Sequence, residues 1–129
     1  MDEQNNKNNK LAKALHKIEE AKRKLDYEVG TLFSPTGKFI KEYIGGAHGI
    51  NIPPADKHLF EGNIFTHNHP GGRTFTLHDI LRFIDDELRE VRISTPQGTF
   101  FSLRESDWEV NRAIENAEEF GYIYTRGVI

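Results

Sequence analysis

Two imidazoles and a carboxylate in one short stretch of this chain have the types and spacing of a metal site. His67 and His69 lie in Thr66-His67-Asn68-His69-Pro70-Gly71-Gly72, and Asp79 follows in Thr76-Leu77-His78-Asp79. Side chains at i and i+2 of an extended strand point to the same side, so both rings face one way. Imidazole nitrogens bind zinc at roughly 2.0–2.1 Å. Pro70 and the two glycines turn the chain away at once and leave the rings at an open edge. Asp79 stands ten residues after His69, in the first turn of the next helix. Three protein ligands with a fourth position left for water is the pattern of catalytic rather than structural zinc. Taken alone, Asp79 equally suits the N3 position behind a Thr76 N-cap, and His-x-His-Pro alone suits a turn. Their combination is what points to a metal.

Hydrolysis at such a centre needs a base. Glu28, in Glu28-Val29-Gly30-Thr31-Leu32-Phe33, is a carboxylate on an otherwise apolar strand, which is unexpected if the strand is buried. Beside a metal it could take a proton from water and pass it to a leaving amine; the competing role is an exposed edge-strand Glu. Glu42 is a weaker rival because it reads as outward-facing. The Thr76 hydroxyl suits a helix cap and could also donate to a developing oxyanion. His48, in a Gly-rich loop, either lines the pocket or is a plain loop residue. His78 reads as surface, and His16 and His58 carry no argument.

The elements that position these groups follow from periodicity. Met1 to Asn9 reads as a disordered polar tail. Leu11, Ala14, Leu15, Ile18, Ala21 and Leu25 recur at helical spacing, predicting an amphipathic helix over about 8–25. Strands are predicted over 27–33 and 38–44 with turn chemistry at Ser34-Pro35-Thr36-Gly37. A short helix over 55–60 and a strand over 63–66 come next. A helix from Thr76 shows Leu77, Ile80, Leu81, Ile84 and Leu88 on one face. A hairpin over 91–103 turns at Pro96-Gln97-Gly98, and a last helix runs from Ser106, with Glu109 completing a capping box, to Phe120 before Gly121. Trp108 and Phe120 read as packing aromatics. This order predicts an α/β fold, a mixed β-sheet flanked by helices. The division is 1–26 as tail and amphipathic helix and 27–129 as the metal-binding domain.

Composition narrows the function. A chain of 129 residues is one domain's worth. Apolar residues are 36% and charged residues 29%, with nine Phe supplying bulk, as in a globular chain with a wet surface. A net charge of −3 argues against a nucleic-acid partner, which needs a basic field. With no cysteine, disulfides, thiolate zinc fingers and Cys nucleophiles are excluded. The polar N-terminus is no signal peptide, and no apolar run approaches the ~20 residues of a membrane span. A cytoplasmic protein is expected, and both ends read as edges, as in a domain taken from a longer chain.

With these residues in place, the sequence resembles the JAMM (JAB/MPN) metalloproteases, in their RadC-like branch. Their pattern is a Glu on an early strand, then H-x-H-P, then S-x-x-D at a helix start. Glu28, His67-Asn68-His69-Pro70 and Thr76-Leu77-His78-Asp79 stand at those places, and the likeness covers about 27–103. The layout is also similar to C-terminal domains of some phage head-morphogenesis proteins. The resemblance implies a JAB/MPN fold with cytidine-deaminase-like layering. It implies zinc (Zn2+) held by His67, His69, Asp79 and a water, with Glu28 as acid/base and Thr76 in the Ser position. The implied activity is cleavage of a peptide or isopeptide bond, so the expected partner is a peptide or protein substrate. The chain departs from the pattern twice. Nine residues lie between His69 and Asp79 where the family has ten, and Glu28-Val29-Gly30 is one residue shorter than Glu-x-x-Gly.

Two other classes compete. One is a non-catalytic JAMM-like binding module, phage or virion associated, with a vestigial or structural site. The other is a metal-dependent nuclease, suggested by the letters His-Asn-His. HNH nucleases spread those residues over a ββα element rather than placing them consecutively. A cupin is set aside because 70–74 holds no Glu.

Overall fold

The computed structural model describes residues 3–73, 75–98 and 100–104. Helix α1 spans Glu3–Lys22 and strands β1 and β2 span Val29–Phe33 and Phe39–Ile44. A 3-10 segment, Pro54–Leu59, leads to β3, Ile64–Asn68; helix α2, Leu77–Asp85, is followed by β4, Glu90–Ser94, and β5, Phe100–Arg104. The strands form one sheet in the order β2-β1-β3-β4-β5. It is mixed: β3 and β4 are parallel and every other neighbouring pair is antiparallel. The expected α/β fold, a mixed sheet flanked by helices, is therefore present. The predicted helix 106–120, with Trp108, lies outside the described residues.

The two faces of the sheet bury different clusters. Leu32, Phe65, Val91 and Ile93 meet Phe75, Ile80 and Phe83 from the α2 side, together with Phe60 and Tyr43. Phe33 and Ile64 meet Leu15 of α1 on the other, with Leu11, Ala14 and Ile18 around them. This is the period-2 alternation of strands buried on both faces.

Several boundaries and faces differ from the sequence reading. Helix α1 starts at Glu3, within the segment expected to be disordered, because no Pro or Gly there interrupts it. It ends at Lys22 rather than near Leu25. Its buried stripe runs through Leu15 to Glu19, while Ala21 is exposed. Helix α2 buries Ile80 and Phe83, leaving Leu81 and Ile84 on the outside at 43% and 38% exposure. Its nine residues present only about two and a half turns. Leu88 reaches the core from beyond the helix, after a left-handed Glu87 at φ 54°. Strand β3 runs on to Asn68, two residues further than predicted, because β4 pairs with it to the end, His67 with Ile93 and Asn68 with Ser94. No helix among the described residues is long and apolar enough to cross a membrane.

Candidate metal centre

The β3–α2–β4 crossover places the site. In open sheets, ligands bind beyond the carboxyl ends of parallel strands, and there β3 hands the chain to α2. His67 is the second-last residue of β3, and His69 follows it, its N–H bonded to the Ser94 carbonyl at 2.9 Å. The chain then reverses in a turn closed by Gly72 N–H to the His69 carbonyl, 3.0 Å. Gly72 takes φ +78°, a backbone state that a side chain would resist. Thr76 then caps α2. Its hydroxyl accepts the Asp79 N–H at 3.2 Å, and Asp79 Oδ2 accepts the Thr76 N–H at 3.0 Å. Asp79 is thus a capping residue and also faces the imidazoles. Oδ1 faces His67, and Oδ2 serves the cap and faces His69.

The donor atoms converge. His67 Nε2 lies 3.1 Å from Asp79 Oδ1 and 3.1 Å from His69 Nε2, and His69 Nε2 lies 3.4 Å from Asp79 Oδ2. A tetrahedron of ligands at about 2.0–2.1 Å from a metal has edges of about 3.3–3.4 Å, so these separations suit an ion between them. Glu28 joins from the start of β1. One ligand atom each from Glu28, His67 and His69 lies within 4.8 Å of the others, and all three residues are buried. This buried group could hold a metal ion.

Hydrogen bonding fixes the imidazole roles. His69 Nδ1 stands 2.8 Å from the Arg73 carbonyl. A carbonyl only accepts, so Nδ1 carries a proton, and Nε2 is the nitrogen that faces His67 and Asp79, with its lone pair there when the ring is neutral. His67 is oriented by stacking on Phe65, with centroids 5.4 Å apart and planes at 26°. Gly30, paired with His67 across β1 and β3, makes this possible: a Cβ there would strike the Phe65 ring. His67 Nδ1 is buried with no hydrogen-bond partner among the described residues, leaving Nε2 as its working nitrogen.

The charges are mutually dependent. Burial pulls the His67 pKa down, but the charge and hydrogen bond of Asp79 and the charge of Glu28 outweigh it and hold it above the ordinary imidazole value. Burial likewise pushes Asp79 up, and His67, His69 and the Thr76 N–H reverse this and hold it well below a normal carboxylate. Glu28 is raised by burial, with a smaller push from Asp79 and an opposing pull from His67. In the metal-free chain, Asp79 and Glu28 therefore favour the charged form of His67.

The donors open into a cavity of about 160 Å³. Thr76 is on its wall, as are His48 and His78, both exposed at the mouth. Ile50, Ile52 and Val91 provide an apolar side, and Arg82 adds a cation that bonds Asp86 at 3.2 Å. Glu42, the rival base, is exposed on β2 and does not line this cavity. Ile50, Ile52 and Arg82 were not legible as site residues. The loop carrying both Ile lacks periodicity, and Arg82 looked like any polar position of α2.

No protein-family model, curated protein or solved structure matches the chain.

Proposed function

We propose that the chain is a zinc-dependent hydrolase of the JAMM type, with JAB/MPN-like layering, that cleaves a peptide or isopeptide bond in a peptide or protein substrate. The convergence of His67, His69 and Asp79 at 3.1–3.4 Å beside a buried Glu28 carries this reading. His67, His69 and Asp79 are the proposed ligands. Held by these residues, zinc would supply a water acidified to a pKa of about 7, and so a nucleophile at neutral pH. Glu28 takes up the proton and returns it to the leaving amine; its upward shift brings it towards the neutral range where such transfer works best. Thr76 spends a lone pair on the helix cap, so its hydroxyl proton remains for a developing oxyanion. Ile50 and Ile52 give the cavity an apolar wall beside the donors.

Elemental analysis after zinc loading tests the site. About one zinc per chain is expected, lost in His67→Ala/His69→Ala and weakened in Asp79→Ala. Glu28→Gln should retain zinc and lose about 10²–10⁴-fold in turnover of a peptide panel; retained turnover refutes the role of Glu28. A non-catalytic module is the second reading. It is favoured by the metal-free contacts of Asp79, which already bonds both His67 and the α2 cap. It predicts full zinc loading with no hydrolysis of any substrate.

A further inference from the structure

Asn68 separates the two imidazoles in sequence and is completely buried. The β1–β3 ladder ends at the Gly30–His67 pair, and at the next position the Asn68 side chain replaces the backbone. Its Oδ1 accepts the Val29 N–H at 2.7 Å, and its Nδ2 donates to the Tyr27 carbonyl at 2.9 Å. These are the peptide groups on either side of Glu28. The backbone of Glu28 itself is held from the opposite side: its N–H donates to the Gly46 carbonyl and its carbonyl accepts the Gly45 N–H, both at 2.8 Å.

We propose that Asn68 is a positioning residue, clamping the peptide groups that flank Glu28 so that its carboxylate stands against the His67/His69 pair. One short segment of β3 then fixes both the imidazoles and the acid. An Asn suits this position because its side chain presents one donor and one acceptor, like a peptide group, whereas Asp offers no donor and Ser too short a reach. This rests on the proposed reading of Glu28 and assigns what holds it in place. Partners behind the direct ligands are known to matter by about 10–100-fold in affinity or activity at metal sites.

The test uses the full chain loaded with Co2+, whose visible spectrum reports the fourth coordination position, together with crystal structures of the metal-free proteins. Asn68→Ala should still bind about one Co2+ per chain. Its spectrum should shift in the same sense as that of Glu28→Gln, with no further shift in the double variant. Thr66→Val, which removes a buried hydrogen bond to Glu19 in the same strand, should lower the melting temperature and keep the wild-type spectrum. In the Asn68→Ala crystal structure, the Glu28 carboxylate should have left the 4.8 Å sphere it shares with the imidazoles. A wild-type spectrum in Asn68→Ala, additive shifts in the double variant, or an unmoved carboxylate would overturn the proposal. If Asn68→Ala does not fold, Asn68→Asp, which keeps only the bond to Val29, takes its place and should show an intermediate shift. If the wild type binds no Co2+, the metal reading fails, and the carboxylate position in the crystal structures decides the role of Asn68.

Discussion

Thr66 and His67 are neighbours on β3, and their side chains enter two buried polar clusters of opposite character. On the α1 side, Glu19 meets Arg92 through paired bonds, 2.8 Å from Nε to Oε2 and 2.9 Å from Nη2 to Oε1. Thr66 donates to Glu19 at 2.6 Å, and the remaining Arg92 arm reaches Glu90 at 2.9 Å. Glu19 and Arg92 are 2% and 5% exposed. On the α2 side, two imidazoles and two carboxylates crowd together, one ring nitrogen has no partner among the described residues, and a cavity opens onto them. The first cluster is closed by its own cation: Arg92 lies between the buried Glu19 and the partly exposed Glu90. The second opens its donors to a cavity and could hold a metal ion. A buried charge group that closes on itself holds a helix to a sheet. One left open to a cavity is a candidate site.

Breaking the closed cluster should have the larger effect on stability. Arg92→Ala leaves the buried Glu19 without its cation, and denaturant unfolding should show a loss of about 3–5 kcal/mol; Glu19→Ala should cost less, because Arg92 keeps Glu90. Replacing both residues with apolar ones of similar volume should recover much of that loss. Asp79→Ala in the metal-free chain should cost less than Arg92→Ala, because its partner His67 can become neutral. A larger cost for Asp79→Ala would undo the contrast between the clusters.

Gly30→Ala probes whether the open cluster depends on packing below it. The added methyl displaces the Phe65 ring on which His67 stacks. Overpacking of this kind costs about 1–3 kcal/mol, and zinc affinity should fall with stability. Unchanged affinity despite lost stability would show that the stack does not orient His67. Thr76→Ala, which removes the α2 cap, should cost about 1 kcal/mol and loosen zinc binding only through Asp79, whose N–H it leaves unpaired.

The open cluster was the more legible of the two in the sequence. His67, His69 and Asp79 lie close along the chain, and Glu28 stood out as a carboxylate on an apolar strand. Local spacing carries that information. The closed cluster joins residues 73 apart; Glu19 read as one more polar position of an amphipathic helix and Arg92 as one more in a hairpin strand. Asn68 read as a spacer, because only the register of β3 against β1 brings its amide to the peptides around Glu28. The face of α2 was misjudged at Leu81, Ile84 and Phe83 because a helix this short leaves the choice of buried stripe to the sheet it meets. The strands were the surest elements, since turn chemistry at 34–37 and 96–98 bounded them.

The smallest effect separates the clusters by pH. In the metal-free chain the His67 pKa is raised from 6.5, so the stability it contributes is full below that value and is lost as pH rises through the folded value. Asp79 is depressed from 3.8, so its contribution is present above that value and is lost as pH falls through the folded one. Glu28, raised from 4.5, opposes Asp79, since its contribution is lost as pH rises through its folded value. Thermal melts of metal-free protein should therefore show stability declining on the alkaline side of 6.5. Zinc reverses the slope, because it needs His67 deprotonated and binding releases that proton, so the stabilisation by metal grows over the same range. His67→Ala should flatten both slopes, while Thr66→Val, which acts on the closed cluster, should lower both curves and keep their shape. A metal-free stability that stays flat or rises through that range would mean that no proton stands in for the cation at His67.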